Sequence, residues 1–317
     1  MKNRFFVNYG GIIVGGLYGL ILRIFLDKSI ENLVDLFSIT FVWIAPMVVA
    51  LTPLLFATRE QLKEWSFRMS RPILSVLTFF VFCYITRLED IICLIIIAIP
   101  FLLVAAITGV ILGGLILQYR KNRGILFSVF LLPLITGVIE PNFPSPTEVV
   151  ETRSSVVINT SKVKVWESIV RVPEIKTSEY TKGFLNFAGV PRPLYAELDK
   201  DTLGGNRRGH FEGGLTFKEK IINWEKNKAI TFDIRIVPST SNKSIFERHM
   251  LNGQHFEFLN ATYQLKELNE SQTELSLITT YRLTTKINFY GKFCGHWMLT
   301  DFQERLMAVV KNRCENS

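Results

Sequence analysis

Five apolar runs in the first 139 residues constrain this chain more than any other feature. They lie at residues 8–26, 36–57, 72–86, 91–119 and 125–139. About 20 apolar residues cross the hydrocarbon core of a bilayer; the second and fourth runs meet that length, and the third and fifth are shorter. A buried helix of a soluble protein explains one short run, but five in succession favour membrane spans. We therefore predict a multi-pass transmembrane domain of about five helices at residues 1–140.

The two parts of the chain differ in charge, as they would if one faced lipid and the other water. The first 139 residues hold 12 Lys or Arg and 7 Asp or Glu, whereas the remaining 178 hold 24 and 21. The 48% hydrophobic content and the mean hydropathy of +0.25 therefore average two unlike segments. Most of the net charge of +8 lies beside apolar runs, where membrane topology explains it. Because Arg207 and Arg208 form only a basic pair, we predict no nucleic-acid partner.

The basic residues between the apolar runs predict an orientation. Nine Lys or Arg lie in segments 1–7, 58–71 and 120–124, and two lie in segments 27–35 and 87–90. Cytoplasmic loops carry the excess of positive charge, so we predict a cytoplasmic N-terminus in the inner or plasma membrane of the cell. Five crossings would place the second half of the chain outside the cytoplasm. If the third or fifth run does not cross, that half lies inside.

Two charged features of this region have more than one interpretation. Arg23 lies inside the first apolar run, where it either marks a substrate or ion site or extends its head group to the interface and pairs with Asp27. We favour the second interpretation, because Asp27 follows one helical turn later. Segment 58–71 mixes basic residues with Trp65, and it predicts either an interfacial amphipathic helix or a plain cytoplasmic connector.

Three prolines within residues 141–146 indicate a stiff linker, which we place at residues 141–148. The domain that follows, residues 149–317, has the order of one strand, two short helical stretches, six strands and a long helix. The predicted strands are 149–158, 194–199, 206–213, 215–224, 229–237, 255–267 and 273–285, and the helical stretches are one after Ser161, one at 173–187 and one at 288–313. A curved antiparallel sheet around the final helix satisfies this order. The predicted fold class is all-α transmembrane helices followed by an α+β domain.

Several motifs of the second domain occur in the order of a known family. They are SSVVINTSKVKVWESI, NRRGHFEGGLTFKEKIINWEKNKAITFDI, FEFLNATYQLKELNESQTELSLITTYRLTT and INFYGKFCGHWMLTDFQERLMAVVKN. On these motifs, residues 150–315 resemble the SRPBCC superfamily, also called START-like or helix-grip, especially its polyketide cyclase/dehydrase-like branch. The residues that carry the resemblance are Val165, Trp166, Gly209, Phe211, Phe217, Glu219, Ile221, Trp224, Glu225, Phe232, Thr279, Thr280, Tyr281, Trp297, Asp301 and Arg305. No family is recognised in residues 1–149.

The resemblance implies an internal cavity between sheet and helix that holds an apolar small molecule. Pockets of this kind are mostly apolar, with few polar groups. The candidates for lining the cavity are the aromatic residues Phe217, Phe232, Tyr263, Tyr281, Phe293 and Trp297. For any one of them, an ordinary place in the hydrophobic core is the simpler interpretation. The neighbouring membrane favours a lipid or another hydrophobic small molecule as the ligand.

The candidate catalytic residues are few. His210 and Glu212 are two residues apart on a predicted strand, so they would share a face within reach of a substrate, although a solvated surface pair has the same pattern. The sequence contains no nucleotide-binding loop, nucleophile elbow or metal-ligand spacing. We therefore predict no cofactor and no metal.

Together these observations predict an integral membrane protein whose second domain binds or handles a lipid or other hydrophobic molecule at the membrane surface, without catalysis. A cyclase, dehydratase or hydrolase acting on an apolar substrate is the alternative, because the family includes both enzymes and binders. A membrane sensor that relays the state of the ligand is the third reading. Protein partners stay unknown.

Overall fold

A computed structural model of the chain describes residues 2–28, 38–118, 128–237, 251 and 255–316, with side chains from residue 9 to residue 25 in the first segment. Two compact units make up the chain, Met1–Ser145 and Pro146–Ser317, which we call unit 1 and unit 2. Unit 1 is helical in its described residues, and unit 2 combines a sheet with helices.

Unit 1 contains two long helices that are apolar enough to cross a membrane. Its helices are α1 (Lys2–Lys28), a π-helical turn (Thr40–Ile44) leading into α2 (Ala45–Phe56), α3 (Arg59–Lys63), α4 (Trp65–Ile85), α5 (Ile91–Gln118), and a 3-10 turn (Ser128–Leu131) leading into α6 (Leu132–Ile139). Helices α4 and α5 pass the length and composition test for a span; the apolar stretches Tyr9–Phe25, Thr40–Phe56 and Ser128–Asn142 are shorter. Length and composition thus support membrane crossing for two of the five predicted runs.

Helix α4 is longer than the apolar run that predicted it. The run covers residues 72–86, but the helix begins at Trp65 and reaches 21 residues with Pro72 inside. Proline lacks the N–H that would bond to the carbonyl of Arg68 four residues earlier. A Cβ on Gly109 would lie 2.0 Å from that carbonyl oxygen, so only a glycine of α5 leaves room for it. The helix therefore continues through the proline.

Neither interpretation of segment 58–71 describes it fully. Thr58 and Gln61 form a capping box that opens α3, with Thr58 N donating to Gln61 Oε1 over 2.8 Å and Gln61 N donating to Thr58 Oγ1 over 3.3 Å. Residues 65–71 form the first two turns of α4. The segment divides between two helices, and its mixed composition does not mark the division.

Arg23 is buried among other residues of unit 1, whereas its head group was predicted to extend to the membrane interface. Its Nε donates to Glu89 Oε1 over 2.8 Å, and the two side chains are 7% and 0% exposed. The guanidinium lies 5.6 Å from the centre of the Phe41 ring. Glu89 belongs to segment 87–90 between the third and fourth apolar runs, and it is buried in the connection between α4 and α5. The side chain of Asp27, the predicted partner, lies outside the described residues.

The described residues of unit 2 form one seven-stranded antiparallel sheet in the order β1-β7-β6-β5-β4-β3-β2. The strands are β1 (Thr147–Ile158), β2 (Pro193–Leu198), β3 (Asn206–Phe211), β4 (Thr216–Glu225), β5 (Ala229–Val237), β6 (Phe256–Asn269) and β7 (Gln272–Thr284); the helices are α7 (Lys162–Val170), α8 (Phe184–Phe187) and α9 (Asn288–Asn316). Helix α9 packs against β1 and β7. An antiparallel sheet with a long C-terminal helix agrees with the predicted helix-grip arrangement.

The second helical stretch predicted at residues 173–187 is wrong except for α8. The N–H of Ile175 donates to the carbonyl of Leu194 over 2.7 Å, so the backbone here pairs with β2 instead of with itself. An N–H that bonds to a neighbouring strand cannot also close a helical turn. The start of this segment therefore runs beside β2, the edge strand of the sheet.

The linker predicted at residues 141–148 is shorter in the structure. Glu140–Asn142 form a 3-10 turn, and β1 begins at Thr147. The carboxylate of Glu140 accepts hydrogen bonds from the N–H groups of Ile39 and Thr40, over 2.6 and 2.8 Å. Glu140 thus belongs to unit 1 by its contacts.

A buried glutamine fixes α9 to the sheet. Ser154 Oγ donates to Gln303 Oε1 over 2.8 Å, and Gln303 Nε2 donates to Thr279 Oγ1 and to the carbonyl of Thr152, over 2.9 and 3.3 Å. Gln303 is fully buried. Buried polar groups need such partners, so the position of the helix across β1 and β7 is set by directed bonds as well as by apolar contact.

Gln303→Ala should lower the free energy of unfolding of unit 2 by about 2–3 kcal/mol, because Ser154 and Thr279 lose a buried partner. Hydrogen-exchange mass spectrometry of the full chain in detergent measures this through the amides of β1, β7 and α9. The exposed neighbour Glu304 supplies the control, and Glu304→Ala should change the same protection by less than about 0.5 kcal/mol. Equal effects of the two substitutions would contradict the role assigned to Gln303.

Candidate functional site

One face of the sheet lies against α9, because side chains alternate between the two faces along each strand. Phe232 of β5 and Tyr263 of β6 point to this face; their ring centres are 6.4 Å apart, and both residues are buried. Leu277 of β7 and Met307 of α9 belong to the same hydrophobic core. Any ligand site between the sheet and the helix has to be built on this face.

A continuous row of six aromatic rings crosses the helix-facing side of the sheet. In order of contact they are Phe302, Phe211, Phe217, Phe258, Phe256 and Tyr281, and successive ring centres are 6.1, 4.5, 5.4, 4.8 and 5.0 Å apart. The first ring comes from α9 and the others from β3, β4, β6 and β7. We call these six residues the aromatic row; it links the helix to the sheet.

The rings of the aromatic row are unevenly buried. Phe211 and Tyr281 are buried. Four others keep part of their surface exposed: Phe217, Phe256, Phe258 and Phe302. Part of the apolar surface of the aromatic row is therefore not covered by other side chains.

A buried ion pair lies on the same face as the aromatic row. Arg207 Nη1 donates to Glu219 Oε2 over 2.6 Å, and the two side chains are 5% and 11% exposed. The guanidinium lies 4.9 Å from the centre of the Phe232 ring. Burial opposes the charge, but Glu219 and Tyr263 outweigh it and raise the pKa of Arg207. Burial raises the pKa of Tyr263, so its phenol stays protonated.

Arg207 and Arg208 were predicted to form only a basic pair, which did not indicate the role of Arg207. Within β3 the two side chains point to opposite faces, and only Arg207 is buried. Alternation along the strand places Arg207 on the same face as Gly209 and Phe211. That period of two is the signal in the sequence that points to a buried arginine.

Four of the six residues predicted to line a cavity lie on the helix-facing side. Phe217 and Tyr281 belong to the aromatic row. Phe232 and Tyr263 lie in the main hydrophobic core beside the ion pair. The structure therefore brings these four together on one face, with Phe217 the most open of them.

The prediction that Phe293 and Trp297 line the cavity is wrong. They are 58% and 37% exposed on the outer side of α9. At this level the helix turns small residues toward the sheet, since a Cβ on Gly295 would come within 2.7 Å of the Tyr281 hydroxyl. The close approach of the helix leaves no room for large side chains on its inner side here.

The prediction that Glu212 and His210 share a strand face is wrong. Strand β3 ends at Phe211, and Glu212 opens a 3-10 turn. There its carboxylate lies 2.7 Å from Arg192 Nε and 3.5 Å from Lys182 Nζ. Burial opposes ionisation, but these two cations outweigh it and lower the pKa of Glu212. Glu212 is thus held as a carboxylate in an ion-pair cluster.

His210 points to the outer face of the sheet. Its ring stacks on Tyr195 with the ring centres 4.3 Å apart, and its Nε2 lies 3.4 Å from Glu197 Oε1. It lies between Gly209 and Phe211, which point to the opposite, helix-facing side. His210 therefore does not face the aromatic row.

The outer face also carries a charged groove of about 670 Å³. Side chains of both signs line it: Glu197, Asp199, Arg208, Lys218, Lys220, Asp233 and Arg235. Such a lining does not suit an apolar ligand. Within the residues that the structure describes, no group of three or more His, Cys, Asp or Glu could hold a metal ion.

Comparison with known proteins gives only distant likenesses. No protein-family model matches the chain, and no curated protein matches its sequence. Similar solved structures include norcoclaurine synthase from Thalictrum flavum, at 11% identity and a TM-score of 0.33, covering 54% of this chain and 95% of that one. An aromatase/cyclase from Streptomyces has 12% identity and a TM-score of 0.33, and the match covers 53% of this chain and 95% of that one. A protein from Rhizobium loti has 13% identity and a TM-score of 0.31, and the match covers 52% of this chain and 99% of that one.

The synthase and the aromatase/cyclase are helix-grip proteins. Likeness at these identities and TM-scores says nothing of activity. The fold of unit 2 rests on its own strand order and its C-terminal helix.

Proposed function

We propose that unit 1 spans a membrane. The length and composition of α4 and α5 support this. Exposed apolar side chains follow every fourth position of α5: Ile99, Leu103, Ile107, Ile111 and Leu115. An apolar face exposed over about four helical turns is stable in lipid and costly in water. The loop charges support a cytoplasmic N-terminus and a unit 2 outside the cytoplasm.

Within this protein, unit 2 binds an apolar small molecule, such as a membrane lipid, along the aromatic row. The observation that carries the proposal is the contact between successive rings of that row, four of which keep part of their surface exposed. Covering apolar surface is favourable by about 25 cal/mol per Å², so a ligand seated on these rings gains affinity from burial. Arg207, Glu219 and Tyr263 supply the few polar groups that orient a ligand in such a pocket.

Ala261→Trp tests the site by filling it. Ala261 of β6 aligns with Phe232 on one side and Thr279 on the other, faces α9 and is only partly buried. An indole there takes the space of a ligand. We expect a diazirine-bearing fatty acid to crosslink to β4 and β6 of the full-length protein, and we expect these crosslinks to fall at least about tenfold in the variant. Peptide mapping by mass spectrometry measures them.

Gln264→Trp is the matched control, because Gln264 lies on the same strand but is exposed. It should keep the crosslinks in unit 2. Crosslinks to α5 serve as an internal standard in every variant. Crosslinking confined to unit 1 in all three proteins would overturn ligand binding by unit 2 and leave membrane insertion standing.

A second candidate function is catalysis on an apolar substrate, and the buried polar groups beside the aromatic row favour it. On that face Tyr263 and Tyr281 each carry a phenol, and Glu219 carries a carboxylate paired with Arg207. Tyr263→Phe keeps the aromatic surface and the Arg207–Glu219 pair, so an enzyme that uses this phenol would lose turnover while the crosslinks stay. A pure binder has no turnover to lose.

A further inference from the structure

An exposed aromatic face runs along the first turns of α9. Phe289, Phe293 and Trp297 are 69%, 58% and 37% exposed and recur at every fourth position, so they share one side of the helix. Phe184 of α8, 59% exposed, extends the face, with its ring centre 6.3 Å from that of Trp297. We call these four residues the outer aromatic face.

The outer aromatic face is not part of the ligand site. Gly295 and Leu299 face the sheet and are buried, so this part of α9 has an inner side and an apolar outer side. A cluster of large exposed aromatic side chains marks a surface that contacts something else. Neither the core nor the aromatic row accounts for it.

The chain between the two units ends beside this face. Glu140 is fixed to unit 1 through its bonds to Ile39 and Thr40. At the other end, Asn288 Nδ2 donates to the carbonyl of Pro146 over 2.8 Å, and Phe289 follows directly. Six residues, 141–146, lie between, and fully extended they reach about 20 Å. The start of α9 therefore cannot move far from the end of unit 1.

We propose that the outer aromatic face inserts into the interfacial layer of the bilayer that holds unit 1. Aromatic side chains are enriched at this depth of a membrane, where an apolar ring and a hydrated surface meet. A helix that lies on a bilayer buries its apolar side by about 5–10 Å, which phenylalanine and tryptophan side chains can do. This inference rests on the proposed membrane insertion of unit 1, and the tether supplies the proximity.

Spin labels on the full-length protein test the docking. The protein carries Phe289→Cys or Phe293→Cys in nanodiscs of phosphatidylcholine and phosphatidylglycerol. The native cysteines Cys83, Cys93, Cys294 and Cys314 are buried, so labelling favours the introduced site. Power saturation compares collision with oxygen, which enters lipid, and with an aqueous nickel chelate. Labels at both positions should collide severalfold more with oxygen relative to nickel than a control label does.

The control is Leu268→Cys. Leu268 is exposed near the hairpin between β6 and β7, and β7 carries the chain about 40 Å from there to the start of α9. A label at Ile107→Cys, on the exposed side of α5, reports membrane insertion separately.

Each pattern of accessibility decides between the alternatives. Oxygen-accessible labels at 107, 289 and 293, with a nickel-accessible label at 268, support the docking. Labels at 289 and 293 that nickel reaches, with 107 in lipid, overturn the docking but not the membrane insertion. Nickel access at 107 overturns both. If the label at 293 collides with neither reagent and its spectrum is broadened by a second label nearby, the face contacts a second copy of the chain. That result also overturns the docking.

Discussion

The full-length protein with Glu219→Leu should have a unit 2 that is less stable by about 3–5 kcal/mol. The substitution leaves the guanidinium of Arg207, 5% exposed, without its carboxylate. Arginine keeps its proton at any accessible pH, so it cannot escape the penalty by becoming neutral. Above the pH range in which carboxylates take up protons, the loss should therefore not depend on pH. Hydrogen-exchange mass spectrometry of β3 and β4 amides in the full chain measures it.

A double substitution that removes both charges distinguishes the effect of the ion pair from the effect of the volume that the two side chains fill. Arg207→Met combined with Glu219→Leu should recover most of the lost stability, because apolar side chains then occupy the site without charge. Glu267→Leu is the control, since its partner Lys162 and the carboxylate are each more than 40% exposed. It should cost less than about 1 kcal/mol. A double variant as unstable as Glu219→Leu would contradict the ion pair as the cause.

The alternation of apolar residues was enough to predict the strands of unit 2. The strand predicted at residues 273–285 is Gln272–Thr284, and the one predicted at 149–158 is Thr147–Ile158. Most of these strands bury one face more than the other, so the local pattern indicates the burial of many of their residues. The helix predicted at residues 173–187 is mostly absent, because Ile175 pairs with a strand that comes later in the chain. No local pattern contains that contact.

The aromatic row could be predicted only in part from the sequence. Phe256 and Phe258 alternate along β6 as Tyr281 does along β7, so strand periodicity indicates all three. Phe302 joins the row only because α9 crosses the sheet where it does, which the sequence does not specify. The pairing of Arg207 with Glu219 likewise needs the register between β3 and β4.

The second large effect concerns the Arg23–Glu89 pair of unit 1, whose partners lie 66 residues apart in the sequence. Glu89→Leu leaves a buried guanidinium, and Arg23→Met leaves a buried carboxylate. Each should destabilise unit 1 by about 3–5 kcal/mol near neutral pH. For a unit of this size that lowers the midpoint of thermal unfolding by on the order of 10 °C. Size-exclusion chromatography of heated full-length protein in detergent measures the midpoint.

The two single substitutions should respond differently to pH. In Arg23→Met the carboxylate of Glu89 can become neutral by taking up a proton, which removes the buried charge from the folded state. The free energy of unfolding of the variant, relative to that of the native protein, should therefore rise as pH falls. In Glu89→Leu the guanidinium cannot lose its charge, so the deficit should stay the same above the pH range in which carboxylates take up protons. Glu60→Leu and Lys63→Met remove the same charges from exposed positions of α3 and should change the midpoint little. Parallel pH curves for Arg23→Met and Glu89→Leu would show that the loss comes from packing and not from the broken ion pair.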